Sequence, residues 1–231
     1  MPVFQCPLCG NEQGIPHLAV SEVYTIMRCG ACGALSTYPM PPRDKLHALY
    51  NQRYYGGSQA SRFRSRAADA AQQLFRWCRA LTLQRRLGTL QGRRVLDIGC
   101  DRGTTLAWLQ RWGADVHGVQ LSAPAAAMAA ARVGERRIFV GELADAAYPD
   151  AWFDCITLWH VLEHVPHPPA LLREIRRILK PGGLVYIEVP NAGGWSARTC
   201  GRHWLAYDVP KHLVHFTPDT LQAAVARAAG G

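Results

Sequence analysis

The 231-residue sequence has no run of about 18 apolar residues, so no ordinary membrane-spanning helix is expected. Its start, MPVFQCPLCG, does not lead from basic residues into an apolar stretch, and the expected compartment is the cytoplasm. Acidic residues are scarce: 17 Asp and Glu face 26 Lys and Arg, a net charge of +9. The shortage is uneven, with 11 Lys/Arg against 4 Asp/Glu in residues 1–90 and 15 against 13 in the rest. Aromatic residues interleave poorly with the arginines of residues 61–87, SRFRSRAADAAQQLFRWCRALTLQRRL, which weakens a nucleic-acid reading of that stretch. Leu74, Trp77 and Leu81, with Cys78, predict instead an amphipathic helix with its arginines in solvent. A surface for phosphate, anionic lipid or RNA is the alternative. With no export signal expected and eight cysteines present, reduced thiols and metal are expected rather than a disulfide framework. Apolar residues make up 48% of the chain, enough for one full domain and a small extra module.

The cysteines explain the module. CPLCG at 6–10 and CGACG at 29–33 form two C-x2-C pairs separated by nineteen residues. Two residues between cysteines let one turn aim both sulfurs at a single ion, and the following glycines tolerate that turn. Cys6, Cys9, Cys29 and Cys32 are therefore candidate ligands of one structural zinc, with iron as the chemical alternative. Four protein ligands leave no open position for catalysis. The intervening HLAVSEVYTIMRC supplies ribbon strands, and the other cysteines, Cys78, Cys100, Cys155 and Cys200, are expected to be small buried residues. Pro39, Pro41 and Pro42 mark a linker, and Tyr50, Tyr54 and Tyr55 either line an entrance or pack the ribbon on its neighbour.

From residue 93 the pattern alternates apolar strands with helices: RRVLDIG, GTTLAWLQRWG, ADVHGVQLS, SAPAAAMAAARVG, RRIFVG, FDCITLWHVL, PPALLREIRRILKPGG and GLVYIEVPN. Ser122 is an expected helix cap, Pro124 lies in the first turn, and Gly134 follows the end. Such alternation predicts an α/β fold, a doubly wound, mostly parallel sheet, with ligands at the carboxyl ends of its strands. The decisive stretch is RVLDIGCDRGTTL, residues 94–106. Gly99 and Gly103 let a ligand approach the backbone, and the helix beyond offers free N–H groups. A G-x-G-x-x-G dinucleotide loop is absent; Asp101 stands where its second glycine would fall. An acid there suits a cationic ligand, a sulfonium or an ammonium, better than a pyrophosphate.

VLDIGCDRG, GVQLS, FDCITLWHVLEHVPHP and LKPGGLVYIEVPN, in this order, resemble the successive motifs of class I S-adenosylmethionine-dependent methyltransferases. HWLAYDVPKHLVHFTPDTL resembles the segment after the fifth strand in a subgroup of them, and a cysteine ribbon ahead of such a domain resembles bacterial enzymes of sugar and cell-envelope modification. The resemblance implies a zinc-ribbon-like module over 1–45, a linker and basic helix over 46–92, and a Rossmann-like methyltransferase domain over 93–231 that lacks the family's last two strands. It implies that Asp97, Gly99 and Gly103 surround the methionine end of S-adenosylmethionine, with Cys100 and Asp101 in the same loop. Gln120, with Leu121 beside it, would face the ribose, Glu142 and Leu143 would border the adenine, and Trp159 and His160 would line the pocket. Gln120 stands where the family usually has an acid, which removes charge assistance from the ribose contact.

In WHVLEHVPHPP, the spacing of His160, Glu163 and His164 brings all three toward one face, and His212 and His215 of KHLVHF could approach them. His164 or His212 is the expected general base, with His160 a further catalytic candidate. An E-x-x-E-H motif binds a divalent ion in some related methyltransferases, but here His160 takes the first acid's place. The expected function is methyl transfer to a small molecule or a saccharide/cell-envelope precursor. An RNA methyltransferase gripping its substrate with the ribbon and arginine helix is one alternative, and a degenerate, non-catalytic binding module is another.

Overall fold

The structure, a computed structural model, describes residues 3–42, 45–46 and 66–230. Tyr50, Tyr54, Tyr55 and the part of the basic stretch before residue 66 lie outside the described residues. The strands are β1 (Gly14–Ala19), β2 (Thr25–Cys29), β3 (Leu35–Tyr38), β4 (Arg94–Ile98), β5 (Asp115–Gln120), β6 (Ile138–Val140), β7 (Phe153–Trp159), β8 (Leu179–Glu188) and β9 (Val214–His215). The helices are α1 (Arg66–Leu87), α2 (Thr104–Arg111), α3 (Ala123–Val133), α4 (Pro168–Ile178), α5 (Trp195–Cys200) and α6 (Pro218–Gly230). The chain forms two compact units: Met1–Leu46 with His160–Arg176 and Ile187–Gly231, and His47–Trp159 with Arg177–Tyr186.

The first unit is built on an antiparallel sheet in the order β1-β2-β3-β9. Its hairpin β2–β3 pairs Thr25 with Tyr38 and Arg28 with Leu35. The fourth strand arrives from the far end of the sequence: Leu35 pairs with His215 and Ser36 with Val214. Ile26 and Leu35 then bury against Tyr207, with Trp204 and Val209 at the margin. The ribbon is too small to enclose a core alone, and the segment before β9 supplies one.

The second unit holds a five-stranded sheet in the order β6-β5-β4-β7-β8, and its β4–β5, β4–β7 and β5–β6 pairs are parallel. The chain steps outward from central β4 to β5 and β6 on one side and to β7 and β8 on the other, which opens a crevice beyond the carboxyl end of β4. The central strand is buried along Val95–Ile98, as a strand covered on both faces must be. Val95, Leu106, Leu109, Val116, Ala129 and Cys155 form the core with Ala80 and Leu83 of α1. Burying a side chain of Leu106's kind contributes about 1.5–3 kcal/mol.

Three expectations need correction. In α1, Leu74 is 60% exposed and Cys78 is exposed; the buried positions are Ala80 and Leu83. At the level of Leu74 the helix turns cations inward instead, because Arg76 and Arg79 reach the end of the sheet. Cys200 is also exposed, not buried. Ser122 occupies the N-cap of α3 but makes no capping bond, and its buried hydroxyl has no partner among the described residues. Pro124 and Gly134 stand where expected. The fifth strand of this sheet begins at Leu179, because Ala151 and Trp152 donate to the carbonyls of Arg177 and Ile178, and Lys180 pairs with Asp154 at 2.8 Å.

Candidate functional site

The strand–loop–helix at residues 94–106 forms as read. Parallel register sets Asp97 beside Gly118 on one side and Thr157 on the other. The Asp97 side chain is buried and accepts a 2.7 Å hydrogen bond from Thr157 Oγ1. Burial pushes its carboxyl up to about 7, against the opposing pull of Thr157 and Arg79. Beyond β4 the backbone turns left-handed three times, at Gly99 (φ 70°), Asp101 (φ 50°) and Gly103 (φ 70°). Asp101 is the strained member of the three, since only glycine adopts this region freely. Its compensation comes from α1: Arg76 Nη2 lies 2.7 Å from Asp101 Oδ2, and Arg76 Nη1 donates to Thr104 Oγ1 at 3.4 Å.

Gly103 is required by packing as well as by its backbone. A Cβ there would lie 2.9 Å from that of Ala129 on α3. Cys100 turns its sulfur inward, toward the Cα of Gly118, where any side chain would meet Sγ at 2.7 Å. Burial pushes its thiol up. Gln120 ends β5 half-buried, its Oε1 accepting from Ser122 N at 3.4 Å. Leu121 is 46% exposed, and Leu143 is buried at the start of a 3-10 turn, Leu143–Ala146, that follows Glu142.

Trp159 closes β7. Its ring lies 4.9 Å from that of Tyr186 on β8, and the Arg79 guanidinium sits 4.5 Å above it. Among the described residues its buried Nε1 has no hydrogen-bond partner. Arg76 and Arg79 belong to no motif, and Tyr186 lies within LKPGGLVYIEVPN without a site role expected of it. The only signal was the excess of arginine on α1, which composition alone assigned to solvent.

The other unit carries two side-chain clusters. Cys6, Cys9, Cys29 and Cys32 have ligand atoms within 4.8 Å of one another. The two knuckles share one geometry: Gly10 N donates to Cys6 O at 2.9 Å and Gly33 N to Cys29 O at 3.0 Å, while Cys6 N reaches Asn11 O and Cys29 N reaches Ala34 O. Cys6 and Cys32 sulfurs lie 3.6 Å apart, and those of Cys9 and Cys29 lie 3.5 Å apart. Tetrahedral zinc with bonds of about 2.3 Å sets neighbouring sulfurs about 3.8 Å apart, so the donor set fits that ion.

The second cluster is Glu163, His164 and His212, again within 4.8 Å. His164 Nδ1 lies 3.0 Å from Lys211 O, and His212 Nδ1 lies 2.7 Å from Ala206 O. A carbonyl can only accept, so both rings donate from Nδ1. The rings meet edge-on with centroids 4.6 Å apart. Burial holds His164 below the usual histidine range. The Glu163 carboxylate is buried and, among the described residues, neither oxygen has a hydrogen-bond partner, although His160 Nδ1 stands 3.4 Å from Oε1. His160, at φ 56°, also places Nε2 2.9 Å from Glu188 Oε1. It bridges two carboxylates and does not join the His164–His212 pair. His215 lies apart as well, bonded to Thr37.

A family model described as a methyltransferase domain matches residues 68–230. The chain belongs to this methyltransferase family. A ubiquinone biosynthesis O-methyltransferase of Alkalilimnicola ehrlichii is 39% identical over 112 residues, 46% of this chain and 44% of that protein. One of Bordetella avium is 32% identical over 160 residues, covering 64% of this chain and 66% of that protein. The chain thus spans between about half and two thirds of the curated relatives it matches. A SAM-dependent methyltransferase structure from Archaeoglobus fulgidus aligns with a TM-score of 0.54 at 23% identity, over 66% of this chain and 68% of that one, a likeness of fold. No helix among the described residues is long and apolar enough to cross a membrane.

Proposed function

We propose that this methyltransferase-family chain binds S-adenosylmethionine at the carboxyl end of β4 and methylates a hydroxyl of a small molecule. The observation that carries the reading is the loop after β4: a buried Asp97, two left-handed glycines and the arginines of α1 converging on one strand end. The donor set suits this cofactor. Asp97 and Asp101 match its cationic groups, and Arg79 and the buried Trp159 N–H match its carboxylate. Gly99, Cys100 and Gly103 contribute backbone; Gln120 and Leu121 serve the ribose, and Glu142 and Leu143 the adenine. A cation near Asp97 favours the carboxylate over the acid and releases a proton near neutral pH. When bound, the cofactor supplies a methyl group already activated by its sulfonium.

The O-methyltransferase names of the curated relatives support a hydroxyl acceptor. His164 is the base of choice in this reading. Burial lowers its proton affinity, Nδ1 is engaged with the Lys211 carbonyl, and Nε2 is the atom we assign to take the hydroxyl proton. His212 is the second candidate. His160 orients the Glu163 carboxylate and does not take the proton. A second reading assigns a divalent ion to Glu163, His164 and His212, supported by the buried carboxylate without hydrogen bonds. In the ribbon, Cys6, Cys9, Cys29 and Cys32 hold a structural zinc.

The test is a methylation assay of a panel of phenols and saccharides, with calorimetry of cofactor binding. Methylation of a phenol lost in His164→Ala, with cofactor affinity kept, supports the base. Sensitivity to chelator reversed by magnesium or manganese favours the ion. Methylation of RNA and of no small molecule would overturn the reading.

A further inference from the structure

We propose that the ribbon positions His212, and that Thr37 of β3 is the residue through which it does so. The inference rests on the functional reading of His212 and adds a duty to the cysteine module. Thr37 is 2% exposed and makes three bonds to the segment carrying His212. Its backbone N–H donates to Leu213 O at 2.9 Å. Its hydroxyl donates to the carbonyl of His212 itself at 2.7 Å. The same oxygen lies 3.0 Å from His215 Nε2. A threonine hydroxyl has one hydrogen, already given to His212, so His215 must donate from Nε2. Burial keeps that ring neutral, since it lowers His215 to about 3.

The opposite edge of the segment is fixed by the histidine cluster: Leu213 N–H donates to Glu163 O at 2.7 Å. Residues 212–215 are thus held between β3 and the backbone of Glu163. Cys29 ends β2 and Cys32 sits in the turn that leads to β3, so the same hairpin carries two of the four sulfurs and the clamp on His212. The ring of His212 is placed by that backbone and by its bond to Ala206 O.

Thr37→Val keeps the volume but leaves the His212 carbonyl and the His215 N–H buried without partners. Side-chain nitrogen NMR of the full chain is expected to show the His212 ring losing its single Nδ1–H form in Thr37→Val and keeping it in Thr37→Ser. Turnover of the hydroxyl acceptor is expected to fall about 10-fold or more in the valine variant, with KM and cofactor affinity unchanged and with recovery in the serine variant. An unaltered His212 ring in Thr37→Val would overturn the proposal. Should the valine variant fail to fold, native-state amide exchange of the wild type decides. Thr37 and Leu213 amides are expected to open with one free energy, and independent opening would overturn the clamp. Wild-type turnover in His212→Ala, beside a disturbed ring in Thr37→Val, would sink the functional reading while leaving the positioning intact.

Discussion

Replacing Asp97 by asparagine is expected to abolish a pH dependence of stability that the buried carboxyl imposes. The side chain is 3% exposed, and burial lifts its carboxyl from 3.8 to about 7. A folded-state value above the unfolded one favours folding fully below pH 3.8, and that contribution fades as pH rises through about 7. Between about pH 5 and about pH 8, linkage then removes about 2.5 kcal/mol from the wild type through this one group. The amide of the Asp97→Asn variant cannot ionise, and its carbonyl can still accept from Thr157, whose hydroxyl lies 2.7 Å from Asp97 Oδ1 in the wild type. Urea denaturation of both proteins at the two pH values gives the difference directly. The lowered histidines, His117, His164 and His215, contribute equally to both proteins and cancel. The variant should gain on the wild type by about 2.5 kcal/mol on going to the higher pH. Parallel pH profiles would refute the argument, because they would mean that Asp97 ionises as freely in the fold as in the unfolded chain.

Other expectations follow from the same geometry. Gly103→Val should lower the unfolding midpoint as well as cofactor affinity, since its side chain meets Ala129 in a left-handed turn; loss of affinity at unchanged stability would contradict the packing argument. Purified protein should carry about one zinc per chain, and Cys29→Ser should release it and fray the β2–β3 hairpin; metal retained after removal of all four cysteines would place it elsewhere. His164→Ala should lower turnover by about 100-fold with cofactor affinity unchanged; wild-type turnover in both this variant and His212→Ala would leave the cluster a structural turn.

The sheet was legible because its strands are short apolar runs punctuated by glycine, and a parallel sheet buried on both faces leaves that pattern. The cysteine knuckles were legible because their geometry is local: each is one turn of five residues. What failed was long-range. The pairing of Leu35 with His215 joins opposite ends of the chain, and the two residues of β9 carry no pattern that announces it. Arg76 and Arg79 read as solvent arginines because charge usually faces water; the acid that draws Arg76 inward, Asp101, lies on another element. Cys100 sits in the motif by position, yet its side chain is absorbed by the space that Gly118 leaves. The grouping of His164 with His212 was legible as a possibility from residue type, whereas the carbonyls of Lys211 and Ala206 that fix their tautomers are backbone atoms, silent in sequence.

The most direct test of the account is calorimetric titration of the full chain with S-adenosylmethionine, run beside NAD. The account predicts saturable binding of one S-adenosylmethionine per chain, weakened by Arg79→Ala and by Asp97→Asn, and none of NAD. A folded protein that takes NAD, or that gives no binding heat with S-adenosylmethionine, would contradict it.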